Sequence, residues 1–226
     1  MRKRIRFVLV AAVLLGLMAA AMCAVYRASQ HVPEFYAEAI SVPAEAQEKE
    51  SDRMLQQITT LHNELQGKGA WHQVFKADTI NGWLAVDLPR NHPTLLPKGM
   101  RDPRVHIGPP PQGITMACQV DRGGFHGVFS LQISAFVESD DVVGLRVHGA
   151  WLGKIPWSIQ SVLVKIADAA RKSNVDIRWR QAGNDPVALI KITSAEGNRR
   201  QVVHVHTILL EEGALVVAGT TEIAPK

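Results

Sequence analysis

Residues 125–137, FHGVFSLQISAFV, alternate apolar and polar or small side chains over an unusual length. Phe125, Phe129, Leu131, Ile133 and Val137 fall on one face of an extended chain, a pattern typical of a half-buried strand. Strands are most often about 5 to 6 residues long. A strand of this length must curve strongly or lie across a broad helix layer, so we expect the fold to be built around it.

The flanking segments predict two partner strands for this long strand. Before it, alternating apolar residues over 114–120 lead into the turn Arg122-Gly123-Gly124. After it, the turn 139–141 leads to Val143, Leu145, Val147 and Trp151, which alternate with polar residues. Three consecutive strands therefore form an antiparallel meander with one solvated face.

The segment Pro156–Ser173 predicts a helix that covers the apolar face of this meander. Proline suits the first helical position, and the apolar side chains recur at helical spacing. These side chains are Ile159, Val162, Leu163, Ile166 and Ala170. The stripe is narrow beside so long a strand, so apolar sheet surface is expected to remain uncovered.

The sequence before the meander and its helix predicts mainly helices, and the sequence after them predicts strands. Helices are expected over 45–66 and 79–88, with a strand over 71–76 and a long loop over 89–103. Further strands are expected over 175–180, 187–192, 201–210 and 214–220, as a second meander. The predicted fold class is α+β: a curved antiparallel meander sheet packed on one long helix and one or two shorter helices, preceded by a transmembrane helix. Residues 45–226 form its single extracytoplasmic domain.

The amino terminus predicts a membrane anchor. Residues 7–25 contain no charge and no proline, and a helix of this length can cross a bilayer. The basic residues Arg2, Lys3, Arg4 and Arg6 precede them. Residues 1–28 are thus expected to be a cytoplasmic basic tip and anchor, with 29–44 as a stalk. A cleaved signal is the alternative. The expected location is the inner (cytoplasmic) membrane, crossed once, with the carboxyl-terminal domain outside the cytoplasm.

Charge and cysteine content exclude some functions. The formal charge of +4 comes largely from the basic amino terminus, so the exported part is near neutral and nucleic-acid binding is not expected. Cys23 lies in or beside the predicted bilayer and Cys118 in a strand of the domain. A disulfide needs a short Cα separation, so the fold is expected to stand without one.

The sequence has little that suggests catalysis or a cofactor. His204 and His206 lie on one side of a predicted strand and could share a metal ion, but two imidazoles do not complete a site. No nucleophile-elbow, P-loop, dinucleotide-binding or zinc-protease motif occurs. We therefore expect a non-enzymatic domain without a cofactor, and the metal-assisted hydrolase is the alternative.

An apolar sheet surface that the helices leave uncovered predicts that either an apolar ligand or a protein partner binds there. If the sheet closes incompletely around its helices, the interior could admit an acyl chain of a lipid. Candidate ligand-binding residues are Trp83, Leu84, Phe129, Trp151, Trp157 and Leu163. The alternative is a scaffold or accessory subunit that buries the surplus surface against a protein partner, with Leu95, Leu96 and Phe136 as contacts.

Three short motifs support a resemblance to a family. Residues 79–84 (TINGWL), 102–105 (DPRV) and 153–156 (GKIP) occur in an order that resembles the YpmS-like membrane-anchored extracytoplasmic bacterial proteins. The resemblance covers residues 75–181. It implies a shared layout of anchor, helix, N-x-W-L helix and strand-to-helix turn, and it implies no activity.

Overall fold

The computed structural model describes residues 2–139, 141–172, 175–183, 185–192 and 201–223. Within these ranges the chain is a mixed α/β protein with five α-helices and exclusively antiparallel strand pairs. The helices are α1 (Arg2–Ser29), α2 (Glu34–Ser41), α3 (Ala44–Gln66), α4 (Ala77–Asn91) and α5 (Ile159–Lys172). A short 3-10 helix, Pro93–Leu95, follows α4. Helices are thus present where the apolar spacing predicted them, but α5 begins at Ile159 and not at Pro156, because Pro156 pairs with Trp151 in a short strand.

The strands described form a large and a small sheet. Their bounds are β1 (Gly69–Lys76), β2 (Met100–Gly108), β3 (Gly113–Arg122), β4 (Phe125–Ser139), β5 (Val142–Leu152), β6 (Ile155–Pro156), β7 (Ile177–Ala182), β8 (Asp185–Lys191), β9 (Gln201–Glu211) and β10 (Ala214–Ile223). The large sheet has the order β2-β3-β4-β5-β8-β7, and β6 pairs with β5 beside it. The small sheet has the order β1-β10-β9. The predicted long strand, β4, lies in the middle of the large sheet and pairs with β3 and β5.

The predicted second meander is wrong. Strands β7 and β8 extend the large sheet through pairing of β8 with β5, whereas β9 and β10 pair with the distant β1. The turn between β9 and β10 predicts that these two strands pair with each other. It does not predict that β10 also pairs with β1, which is far away in the sequence. The loop expected over 89–103 is also shorter, because α4 continues through Pro89 to Asn91 and β2 begins at Met100.

The two faces of the large sheet carry different helices. On one face, Leu131, Val147 and Ala150 are buried with Val162 of α5, and Ile159, Leu163 and Ile166 pack against them. On the other face, Ala117 and Val128 are buried with Tyr36 of α2. Successive strand residues point to opposite faces, so β4 contributes Leu131 to one cluster and Val128 to the other.

The segment 29–44 differs from the expected stalk. It contains α2, and the Tyr36 side chain is almost fully buried, with its hydroxyl donating a 2.8 Å hydrogen bond to the Asp102 carbonyl oxygen. Arg104 is also buried there, and its Nε donates to the Ala39 carbonyl oxygen at 3.3 Å. Prolines at both ends of the segment suggested an extended stalk, but they flank a short helix that packs on β2.

Helix α1 contains the predicted anchor. The side chains of residues 1–13, which include the first part of that anchor, lie outside those the structure describes. In the portion of the chain that is described, no helix is both long and apolar enough to span a bilayer. The large apolar residues of α1 that are described are exposed, including Leu14, Leu17, Met22 and Val25.

Candidate functional site: an apolar cavity beneath helix α5

A cavity of about 590 Å³ lies between α5 and the sheet formed by β2 to β5. Its volume is within the range of about 300 to 1,000 Å³ that is usual for ligand pockets. Most of its lining is apolar. Its apolar lining residues include Met100, Val120, Phe129, Leu152, Trp157 and Ile166. The cavity exists because the narrow stripe of α5 covers only part of the apolar face of the sheet.

The sheet wall follows from strand register. Cys118 and Phe129 are paired Cα partners in β3 and β4, and paired residues of an antiparallel ladder point to the same side. Val120, two residues beyond Cys118, therefore shares this side, and it lines the cavity. Burial raises the pKa of the Cys118 thiol to about 11. The wall is thus poorly solvated beside Phe129.

The entrance to the cavity is basic. Lys98 and Lys165 line it and are exposed, one in the segment before β2 and the other on α5. Trp157 also lines the cavity with nearly half of its surface exposed, at 46%. The described lining contains no Asp or Glu side chain. The arrangement therefore combines an apolar interior with positive charge at its edge.

The end of α1 lies next to this cavity. The Lys154 amide donates a 2.8 Å hydrogen bond to the Ala28 carbonyl oxygen, and Gly153 directly follows the cavity residue Leu152. The Gln30 side-chain amide donates to the His126 carbonyl oxygen at 2.8 Å. A Cβ on Gly153 would lie 2.3 Å from the Ala28 carbonyl oxygen, so only glycine permits this approach. The turn between β5 and β6 thus holds the carboxyl end of α1.

The structure brings together two of the six predicted ligand-binding residues. Phe129 and Trp157 line the cavity, whereas Leu163 packs in the core cluster between α5 and the sheet. The Trp151 ring lies against Gly149, where an added Cβ would be 2.4 Å from it. Trp83 and Leu84 are on α4, and the Trp83 ring lies 5.9 Å from the His92 ring. These four side chains do not line the cavity.

Several cavity residues were missed because their position depends on tertiary structure. Lys98 lies in a segment without periodicity, and Lys165 is an ordinary solvated position in the helical pattern. Met100 and Val120 come from two neighbouring strands. The one cavity residue among these that the sequence could indicate is Ile166, because it belongs to the predicted apolar stripe of α5.

Within the described ranges, His204 and His206 have no third ligand that would complete a metal site. Their rings are stacked with centroids 6.2 Å apart, which agrees with the prediction that they share one side of a strand. His204 Nδ1 lies 2.8 Å from Asp141 Oδ1, and His206 Nε2 lies 2.9 Å from Thr220 Oγ1. Among the described residues, no group of three or more His, Cys, Asp or Glu side chains could hold a metal ion.

Phe136, one of the three predicted protein-contact residues, does not project freely into solvent. The Phe136 ring lies against Gly144, and the Arg146 guanidinium lies over it with Cζ 5.7 Å from the ring centroid. Phe136 is therefore partly covered by its own strand neighbours. Leu95 is 63% exposed, as a contact residue would require.

Comparisons with protein-family models, curated proteins and solved structures found no match for this chain.

Proposed function

We propose that this protein is a membrane-anchored extracytoplasmic domain that binds a single-chain lipid with an acidic headgroup in the cavity beneath α5. The observation that carries the proposal is the cavity itself, whose apolar interior ends at Lys98 and Lys165. An acyl chain suits the interior, because each buried CH₂ group contributes about 0.8 kcal/mol of transfer free energy. A carboxylate or phosphate suits the two ammonium groups.

The anchor is proposed from the sequence and from the exposed apolar surface of α1. Residues 7–25 have the length and composition of a bilayer span, and the basic cluster before them favours a cytoplasmic amino terminus. The exposed side chains of Leu14, Leu17 and Met22 would be costly in water and suit lipid. Membrane anchoring, the location outside the cytoplasm and the YpmS-like membership together form one proposal.

The contact between Ala28 and Lys154 supports a lipid as the ligand. It places the cavity residue Leu152 two positions from the point where the anchor joins the domain. A cavity so close to the anchor would open near the headgroups. Trp and Lys are the residues that suit that interface, and Trp157 and Lys165 occupy the cavity edge.

Native mass spectrometry of the full chain, released from detergent after purification from membranes, tests this function. The wild type is expected to carry one lipid per chain. Ile166→Trp fills the cavity and should lose the lipid, whereas Val164→Trp, at an exposed position of the same helix, should retain it. A lipid-free wild type, or equal lipid in both variants, would contradict the proposal. A lipid-free monomer that instead binds one protein partner would support the scaffold.

A further inference from the structure

Three side chains on adjacent strands form a hydrogen-bonded series outside the cavity. Ser134 Oγ of β4 lies 2.7 Å from His148 Nε2 of β5, and His148 Nδ1 lies 3.0 Å from Asp185 Oδ2 of β8. A hydroxyl, an imidazole and a carboxylate linked in this order, through opposite ring nitrogens, have the relationships of a nucleophile, its general base and the group that orients the base. The three residues are far apart in sequence and belong to no motif, so sequence reasoning could not find them.

A β-bulge directs His148 to this position. Gln132 pairs with Gly149, but the next residue, Ile133, pairs with Val147, which leaves His148 as an extra residue in β5. An inserted residue interrupts the ladder and redirects side chains, and bulges are common beside active sites. The imidazole can therefore bridge from β4 to the start of β8.

The series is accessible and is separate from the cavity. Ile133 packs in the α5 cluster, so the next residue, Ser134, points to the opposite face of the sheet. The side chains of His148 and Asp185 are 27% and 31% exposed, and Ser134 is half-buried.

Arg146 lies on the same face of the sheet as the Ser134 hydroxyl. Arg146 is the Cα partner of Ser134 across the ladder, and directly paired residues point to the same face. Its Nε is buried and makes no hydrogen bond to any residue in the described part of the chain. A buried N–H without an acceptor is uncommon, and an acceptor supplied by a ligand would satisfy it. In acyl transfer, such a donor stabilises the negative charge that develops on the carbonyl oxygen.

We propose that Ser134, His148 and Asp185 are a catalytic triad for the hydrolysis of an acyl ester, with Arg146 as the oxyanion-stabilising group. Ser134 Oγ attacks the ester carbonyl carbon while His148 Nε2 takes the hydroxyl proton. The tetrahedral intermediate collapses, the bond to the alkoxy group breaks, and His148 returns the proton to the departing alcohol. Water then attacks the acyl-serine with His148 again as base, which releases the carboxylic acid and restores Ser134. Asp185 orients the imidazole throughout and is a positioning residue.

Fluorophosphonate labelling followed by peptide mass spectrometry tests the triad in the full chain in detergent. The reagent is expected to modify Ser134, and the protein is expected to hydrolyse p-nitrophenyl butyrate. Ser134→Ala and His148→Gln should each lower the labelling rate and the hydrolysis rate at least a hundredfold. Ser139→Ala, at an exposed position of β4, should leave both rates unchanged. The triad lies on the face of the sheet opposite the α5 cluster, so it is testable independently of lipid binding.

Two further variants separate positioning from folding. Asp185→Asn should lower the labelling rate at least tenfold with an unchanged melting temperature, and Asp185→Glu should recover part of it. Arg146→Gln should lower the kcat for p-nitrophenyl butyrate more than it changes KM. A folded wild type whose Ser134 stays unlabelled, or a Ser134→Ala variant that retains the wild-type esterase rate, would overturn the proposal.

Discussion

The amide nitrogen of Lys154 donates a 2.8 Å hydrogen bond to the carbonyl oxygen of Ala28. This bond connects the end of α1 to the turn that follows the cavity residue Leu152. The contact depends on Gly153, whose φ of +60° and lack of a side chain allow the two backbones to meet. The geometry relates the proposed anchor to the proposed ligand site.

The first prediction concerns Gly153→Ala. The added methyl group would overlap the carbonyl oxygens of Ala28 and Ser29, and the positive φ adds about 1 to 2 kcal/mol of backbone strain. Gly123→Ala is the matched control, because its φ of +62° is similar and nothing lies within 4 Å of the added Cβ. Urea unfolding should show a larger loss of stability for Gly153→Ala. Equal losses would mean that the contact with α1 contributes nothing.

The second prediction concerns the crossing of α3 and α4. Alanine normally stabilises a helix by about 1 kcal/mol relative to glycine. At Gly82, however, an added Cβ would lie 2.6 Å from the backbone nitrogen of the buried Ser51. Gly82→Ala should therefore lower the melting temperature, and Gly82→Leu should lower it further. A stabilised Gly82→Ala variant would show that the two helices can separate without cost.

The third prediction concerns Cys118. Burial raises its pKa from 9.0 to about 11, so the folded protein holds the thiol proton more strongly than the unfolded chain does. This contribution to stability is fully present below pH 9 and is lost as pH rises through 11. Unfolding measured from pH 8 to 11 should show a steeper decline for the wild type than for Cys118→Ala. Parallel curves would contradict this assignment.

The fourth prediction concerns headgroup charge. Replacing Lys98 and Lys165 by Glu should weaken binding of a fatty acid about tenfold or more, since it reverses both charges at the cavity edge. Binding of an uncharged monoacylglycerol should change little. Lys191→Glu, at an exposed position on β8, is the control and should affect neither ligand. Equal weakening of the binding of both ligands would show that the two lysines do not interact with the headgroup charge.

The sequence predicted the elements with strong local periodicity. The alternation around Leu131 and the stripe through Val162 and Ile166 correctly placed β4 and α5, and the excess of sheet over helix correctly suggested uncovered apolar surface. Such patterns report which face is apolar, because burial acts on each element separately.

What the sequence could not predict depends on long-range pairing. Nothing local specifies that β10 pairs with β1, or that Asp185 of β8 meets His148 of β5. Aromatic size alone did not distinguish Trp157, which lines the cavity, from Trp151, which lies over Gly149. The buried Tyr36 was missed because flanking prolines suggested an extended segment.

Photo-crosslinking tests whether an acyl chain occupies the cavity beneath α5. A fatty acid that carries a diazirine near its methyl end would be added to membranes containing the full chain, irradiated, and traced by peptide mass spectrometry. If an acyl chain occupies the cavity, adducts are expected within residues 152–166 and near Phe129, reduced by Ile166→Trp and retained by Val164→Trp. Adducts confined to residues 14–26 of α1, with none at the cavity in either variant, would contradict occupation of the cavity.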